Sequence, residues 1–128
     1  MFSKENRQLP GAQLKVMRVL WDSPASLTAK QIIIKLQEER GSKWNVSTIR
    51  TLLTRLVDRG FLAVAVREKE HYYAVIVDEQ TYLKQATKGF LSQHYRDSMF
   101  CMVSTFADGR LTDEELQELR ALMEKLEK

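Results

Sequence analysis

Cysteine is almost absent from this chain of 128 residues: Cys101 stands alone. One thiol cannot build an internal disulfide framework or a cysteine-based zinc site. Histidine is nearly as scarce. His71 and His94 lie far apart without ligand partners, so neither reads as a metal site. Five glycines leave no glycine-rich phosphate loop, and no His-Glu zinc motif or nucleophile elbow is present. These absences argue against an enzyme, and neither a metal nor a cofactor is expected. No apolar run approaches the roughly 20 residues that span a bilayer. The segment Met1 to Gly11 holds no apolar stretch of the signal-peptide kind. A cytoplasmic location is the expectation.

Hydrophobic residues make up 44% and charged residues 29%, the balance of a soluble globular protein. The charge is unevenly spread. Residues 1–77 hold 13 Lys/Arg against 7 Asp/Glu, whereas residues 78–128 hold 7 against 10. A basic first part and an acidic second part suggest that only the first meets a polyanion.

Period and punctuation divide the chain into elements. Leu14, Met17, Leu20 and Trp21 recur at helical spacing after Pro10-Gly11, and Asp22-Ser23-Pro24 stops that helix. Thr28 and Gln31 form a capping box for a second helix, with Ile32, Ile33 and Leu36 inward. Gly41 is suited to its left-handed C-cap. A third helix, capped by Asn45 or Ser47, runs to Asp58-Arg59 and closes at Gly60. The period then changes. Phe61 to Val66 and His71 to Val77 are strand-like, and Arg67-Glu68-Lys69-Glu70 between them reads as a hairpin tip. Asp78 caps a long fourth helix, Met99 to Phe106 is a short apolar helical segment, and Thr112 with Glu115 opens the last helix. The expected fold is mainly α with a small β-hairpin wing. Residues 1–77 form an N-terminal winged helix-turn-helix, and residues 78–128 form a C-terminal helical dimerisation region.

The third helix carries the chemistry. Ile49, Leu52, Leu53, Leu56 and Val57 form one apolar stripe. Ser47, Arg50, Thr51 and Thr54 fall on the opposite face with Arg55 at its edge, and no carboxylate follows until Asp58. Short hydroxyls let a helix approach a phosphate backbone and a thymine methyl, and arginine can fork onto guanine or phosphate. That composition suits a helix in a major groove. A solvated face on a winged-helix protein–protein module is the other reading of the same residues.

The string Ser47-Thr48-Ile49-Arg50-Thr51-Leu52-Leu53-Thr54-Arg55-Leu56 resembles the recognition helix of the penicillinase and methicillin-resistance repressors. Val16 to Trp21 resembles that family's first helix, and Phe100 to Arg120 its dimerisation tail. The resemblance covers about Leu9 to Lys125. It implies a homodimer on a palindromic operator in double-stranded DNA, repressing a β-lactamase or related resistance gene. It also implies relief by proteolysis after a membrane sensor-protease detects a β-lactam. By resemblance the cut falls before a phenylalanine, here between Thr105 and Phe106, where the family commonly has Asn instead of Thr. The copper-responsive branch carries paired Cys-x-Cys motifs that this chain lacks, so metal control is not expected.

Other positions stay open between two readings. Arg67 and Lys69 at the wing tip reach phosphate, or simply solvate a turn that Glu68 and Glu70 make neutral. Of Tyr72 and Tyr73, one packs on the core. Tyr82, Phe90, Leu91 and Tyr95, with Leu116, Leu119, Leu122, Met123 and Leu126, form a dimer seam; the first four could instead line a drug pocket of a ligand-controlled repressor. Cys101 reads as a buried small hydrophobe.

Overall fold

The computed structural model describes residues 8–40, 44–109 and 111–127. Among these residues six helices and three strands follow one another: α1 Gly11–Trp21, β1 Leu27–Thr28, α2 Ala29–Arg40, α3 Val46–Asp58, β2 Leu62–Arg67, β3 Glu70–Val75, α4 Glu79–Tyr95, α5 Met99–Ala107 and α6 Asp113–Glu127. The chain divides into two units, Met1–Gly89 and Phe90–Lys128. Among the described residues, no helix is long and apolar enough to cross a membrane.

In the first unit the local signals act as written. The Thr28 N–H donates to Gln31 Oε1 at 2.9 Å and the Gln31 N–H to Thr28 Oγ1 at 3.1 Å, so the capping box opens α2. Asn45 caps α3: its side chain accepts the Thr48 N–H at 2.8 Å. Gly60 closes α3 with φ +82°, where a β-carbon would be strained. Gly41, expected at the end of α2, lies outside the described residues. Asp78 caps α4 by accepting the Thr81 N–H at 2.8 Å, and hydrogen bonding from the Thr81 side chain first, then from its backbone N–H, holds the Asp78 carboxyl below the usual range.

The strands form one antiparallel sheet in the order β1-β3-β2. β2 and β3 pair from Leu62 opposite Val75 to Arg67 opposite Glu70. The ladder therefore runs further than the sequence suggests, and the tip is only Glu68 and Lys69. Both have positive φ, 52° and 69°, which a tight two-residue hairpin turn requires. β1 was not foreseen: the Thr28 that caps α2 also pairs with Tyr72, and Leu27 pairs with Tyr73.

The core of this unit joins α1, α2, α3 and one sheet face through Val16, Met17, Ile32, Leu36, Ile49, Leu53, Leu56, Phe61 and Leu62. Each large side chain removed from water contributes about 1.5–3 kcal/mol. Tyr73 is buried on that sheet face, while Tyr72 on the other face is half-buried. The Trp21 indole N–H donates to the Val77 carbonyl at 3.0 Å, tying α1 to the end of the hairpin.

The second unit packs differently. Ser98 caps α5 by accepting the Cys101 N–H at 3.1 Å. Thr112 and Glu115 form a reciprocal capping box for α6 at 2.9 and 3.1 Å. Three acidic residues in the first turn of α6 and Lys125 in its last complement the helix dipole. Yet no residue of α5 or α6 is buried. Cys101, expected to be buried, is exposed, because α5 has nothing covering its outer face. Phe90 packs on His94 and Tyr95, with ring centroids 4.5 and 5.9 Å apart.

Candidate nucleic-acid interface

α3 presents the chemistry through a division between its two faces. Ile49, Leu52, Leu53 and Leu56 are buried, which fixes the helix's rotation about its own axis. Ser47, Thr48, Arg50, Thr51, Thr54 and Arg55 are then all exposed. The Gln37 amide donates to the Trp44 carbonyl at 3.3 Å, and Trp44 packs on the core. The approach to α3 is thereby anchored to α2.

The hydroxyls are pre-arranged. Thr51 Oγ1 donates to the Ser47 carbonyl and Thr54 Oγ1 to the Arg50 carbonyl, each at 3.0 Å. Each threonine donor is used inside the helix. What remains outward is an acceptor oxygen and a methyl group, suited to a base amine or a thymine methyl. Val46, Ser47, Arg50, Thr51, Thr54 and Arg55 line one shallow surface depression of 730 Å³. Arg50 also lies close enough to the Tyr73 phenol to matter electrostatically. Burial pushes the Tyr73 phenol up from its ordinary value, and the Arg50 guanidinium opposes that shift. The sequence did not pair these two side chains; only strand alternation, combined with the knowledge that this face meets the helices, could have.

The wing is similarly organised. Arg67 sits 5.7 Å over the Tyr72 ring, and the Tyr72 hydroxyl donates to Glu70 Oε2 at 3.4 Å. Arg67 and Lys69 are both exposed. Arg67 is held along the sheet by its stacking on Tyr72, while Lys69 stands at the turn.

The residues expected at a dimer seam separate. Tyr82 belongs to the first unit's core. It is 5% exposed, packs on Trp21 and Phe61 with centroids 5.5 and 5.9 Å away, and its hydroxyl accepts the Leu9 N–H at 2.9 Å. That side chain is thereby committed to the winged-helix core, and it does not face an open pocket. Within the second unit, Leu91, Tyr95, Leu116 and Leu119 are half-buried, while Phe90, Leu122, Met123 and Leu126 are exposed. Thr105 and Phe106 lie in the last turns of α5. The Thr105 hydroxyl donates to the Cys101 carbonyl at 2.9 Å, and Phe106 is exposed. Among the described residues, no cluster of three or more His, Cys, Asp or Glu could hold a metal.

The chain is similar to known proteins in sequence and in fold. The family described as penicillinase repressor matches residues 9–125. The penicillinase repressor of Bacillus licheniformis is 30% identical over 123 residues, 95% of this chain and 94% of that one. The methicillin resistance regulatory protein MecI of Mammaliicoccus sciuri is 29% identical over 119 residues, covering 92% and 94%. Among solved structures, the DNA binding domain of the repressor BlaI superposes with a TM-score of 0.53 and 31% identity, over 62% of this chain and 94% of that one. The hsRosR-S4 complex is similar in fold, with a TM-score of 0.56 and 14% identity over 95% and 93%.

Proposed function

The chain belongs to the penicillinase repressor family, and we propose that it works in the cytoplasm as a homodimer on a two-fold symmetric operator. It is a transcriptional repressor and not an enzyme. The exposed face of α3 carries the reading: arginines and inward-bonded threonines on a helix whose other side is locked into the core. α3 enters the major groove with Ser47, Thr48, Thr51 and Thr54 against base edges and backbone. Arg50, near the middle of the face, reads a base, and Arg55 at its edge holds phosphate. Arg67 and Lys69 of the wing reach the flanking backbone.

Dimerisation falls to residues within 78–128, beyond the part of α4 that packs on the winged-helix core. Phe90, Leu91, Tyr95, Leu116, Leu119, Leu122, Met123 and Leu126 supply the seam. An apolar surface of that kind, running onto α6, which has no buried residue, calls for a partner. Two linked α3 helices then engage two half-sites, which multiplies affinity without any new contact. The regulated gene is a β-lactamase or related resistance gene, and a membrane sensor-protease relieves repression by cutting between Thr105 and Phe106. The cut separates α6 from the rest of the seam, so bivalent binding is lost while the DNA contacts stay unaltered. Because that bond lies within a helix, the last turns of α5 must open before a protease reaches it.

The test joins three measurements. Light scattering should give a dimer, anisotropy should show salt-dependent binding of the DNA flanking the chain's own gene, and mass spectrometry should find the Thr105–Phe106 cut in β-lactam-treated cells. Duplex affinity independent of salt would refute the DNA reading, because phosphate neutralisation must release counterions. An intact chain during full derepression would refute the proteolytic switch.

A further inference from the structure

α3 opens on a hydrocarbon side chain that the core does not use. Asn45 caps the helix by accepting the Thr48 N–H at 2.8 Å, and Val46 follows as its first residue. Ile49, Leu52, Leu53 and Leu56 turn into the core, whereas Val46 is 43% exposed. A lone exposed valine is ordinary on a protein surface. What sets Val46 apart is its company. It shares one surface depression with Ser47, Arg50, Thr51, Thr54 and Arg55, and among these it alone has no polar side-chain atom. Arg50 lies one helical turn further on, so the two side chains are neighbours along the same edge of the face.

The position favours a base over the backbone. A helix lying in the major groove brings its N-terminal residues to the base edges, and the side chains of a helix tilt towards its N-terminus. Val46 therefore leads the face of α3. The branch at Cβ restricts its χ1, so a contact costs little side-chain entropy. Every base pair offers hydrogen-bonding groups in the major groove, and only thymine adds an apolar one, its C5-methyl. Against another base, valine would cover a donor or acceptor that it cannot satisfy, which costs affinity. A helical turn rises about 5.4 Å and a base pair about 3.4 Å. Val46 thus falls within about two base steps of the base that Arg50 reads.

We propose that Val46 is a further specificity-determining residue, which packs its methyl groups on the C5-methyl of a thymine in each operator half-site. The assignment rests on the proposed entry of α3 into the major groove. Taking one methyl out of that contact is worth about fourfold in affinity for the half-site concerned. Val46 neutralises no phosphate, so the salt dependence of binding is independent of it.

The probe is a labelled duplex selected from a random-sequence pool by the wild-type full chain. In a series of copies each thymine is replaced singly by deoxyuridine, which keeps the pairing and removes only the C5-methyl. Affinities are read by fluorescence anisotropy at fixed salt. In wild type, one thymine per half-site should respond to the replacement with binding about fourfold weaker. Val46→Ala should bind the parent duplex several-fold more weakly, keep the wild-type salt slope, and no longer distinguish that thymine from deoxyuridine. Thr51→Ser and Thr54→Ser, which lose one methyl each, should still distinguish them. Alanine suits a helix better than valine, so the variant should keep the wild-type circular dichroism. A response that persists in Val46→Ala would overturn the proposal, and its loss in Thr51→Ser or Thr54→Ser would give the methyl to a threonine instead. Absence of any responsive thymine would overturn it while leaving DNA binding intact. Failure of the chain to select or bind any duplex would overturn the proposal together with the reading beneath it.

Discussion

Replacing Tyr82 by Phe tests whether α4 begins as part of the winged-helix core or as part of a seam. The hydroxyl accepts the backbone N–H of Leu9 at 2.9 Å in a buried setting. Its removal leaves that donor without its acceptor, and a buried unsatisfied donor costs about 1–3 kcal/mol. The ring itself stays, with its contacts to Trp21 and Phe61, so little packing is lost. A domain of this size shifts its melting midpoint by about 4–8 °C per kcal/mol. Tyr82→Phe should therefore lower the midpoint by about 5–20 °C. Tyr82→Ala removes the ring as well and should cost about 3–5 kcal/mol for the lost packing. The assay is thermal and urea unfolding of the full chain at several protein concentrations, with light scattering alongside. Dimer mass should be unchanged in Tyr82→Phe wherever the protein is folded. A weakened dimer with unaltered stability of the winged-helix unit would refute the argument and return Tyr82 to the interface.

Other outcomes follow from the same geometry. Arg50→Ala should weaken operator binding by about 1–3 kcal/mol and relax preference at one base position, whereas Arg55→Ala should weaken binding to all sequences alike and lower the salt slope by about 0.9; mobility shifts at several salt concentrations distinguish the two. Leu122→Asp with Leu126→Asp, placing two charges on the exposed stripe of α6, should give a folded monomer by light scattering that binds a two-half-site duplex far more weakly than the parent. The Tyr73 phenol should ionise above its ordinary value of 10.0, since burial favours the neutral form. Because its folded value is the raised one, that contribution to stability is present below pH 10 and is lost as pH climbs through the folded value. Arg50→Ala removes the opposing positive charge, so it should move the Tyr73 titration higher still, which NMR of the ring can follow.

The elements of this chain were legible locally. Capping boxes at Thr28 and Thr112, the Asn45 and Asp78 caps and the glycine after α3 act through bonds spanning three or four residues. The outward face of α3 was equally readable, because its buried stripe and its polar side repeat with the helical period. Alternation along β3 showed that Tyr72 and Tyr73 part company, but not which of them meets the helices. Tertiary packing decided that by setting Tyr73 against the core and beside Arg50. It also decided the place of Tyr82. Its aromatic ring, at helical spacing from Ala86 and Phe90, joins a seam-like stripe in sequence, yet its hydroxyl bonds a residue 73 positions away. A helical stripe records which side of a helix is apolar; which surface covers it depends on residues distant in the chain, and only the folded core brought Leu9, Trp21 and Phe61 around Tyr82.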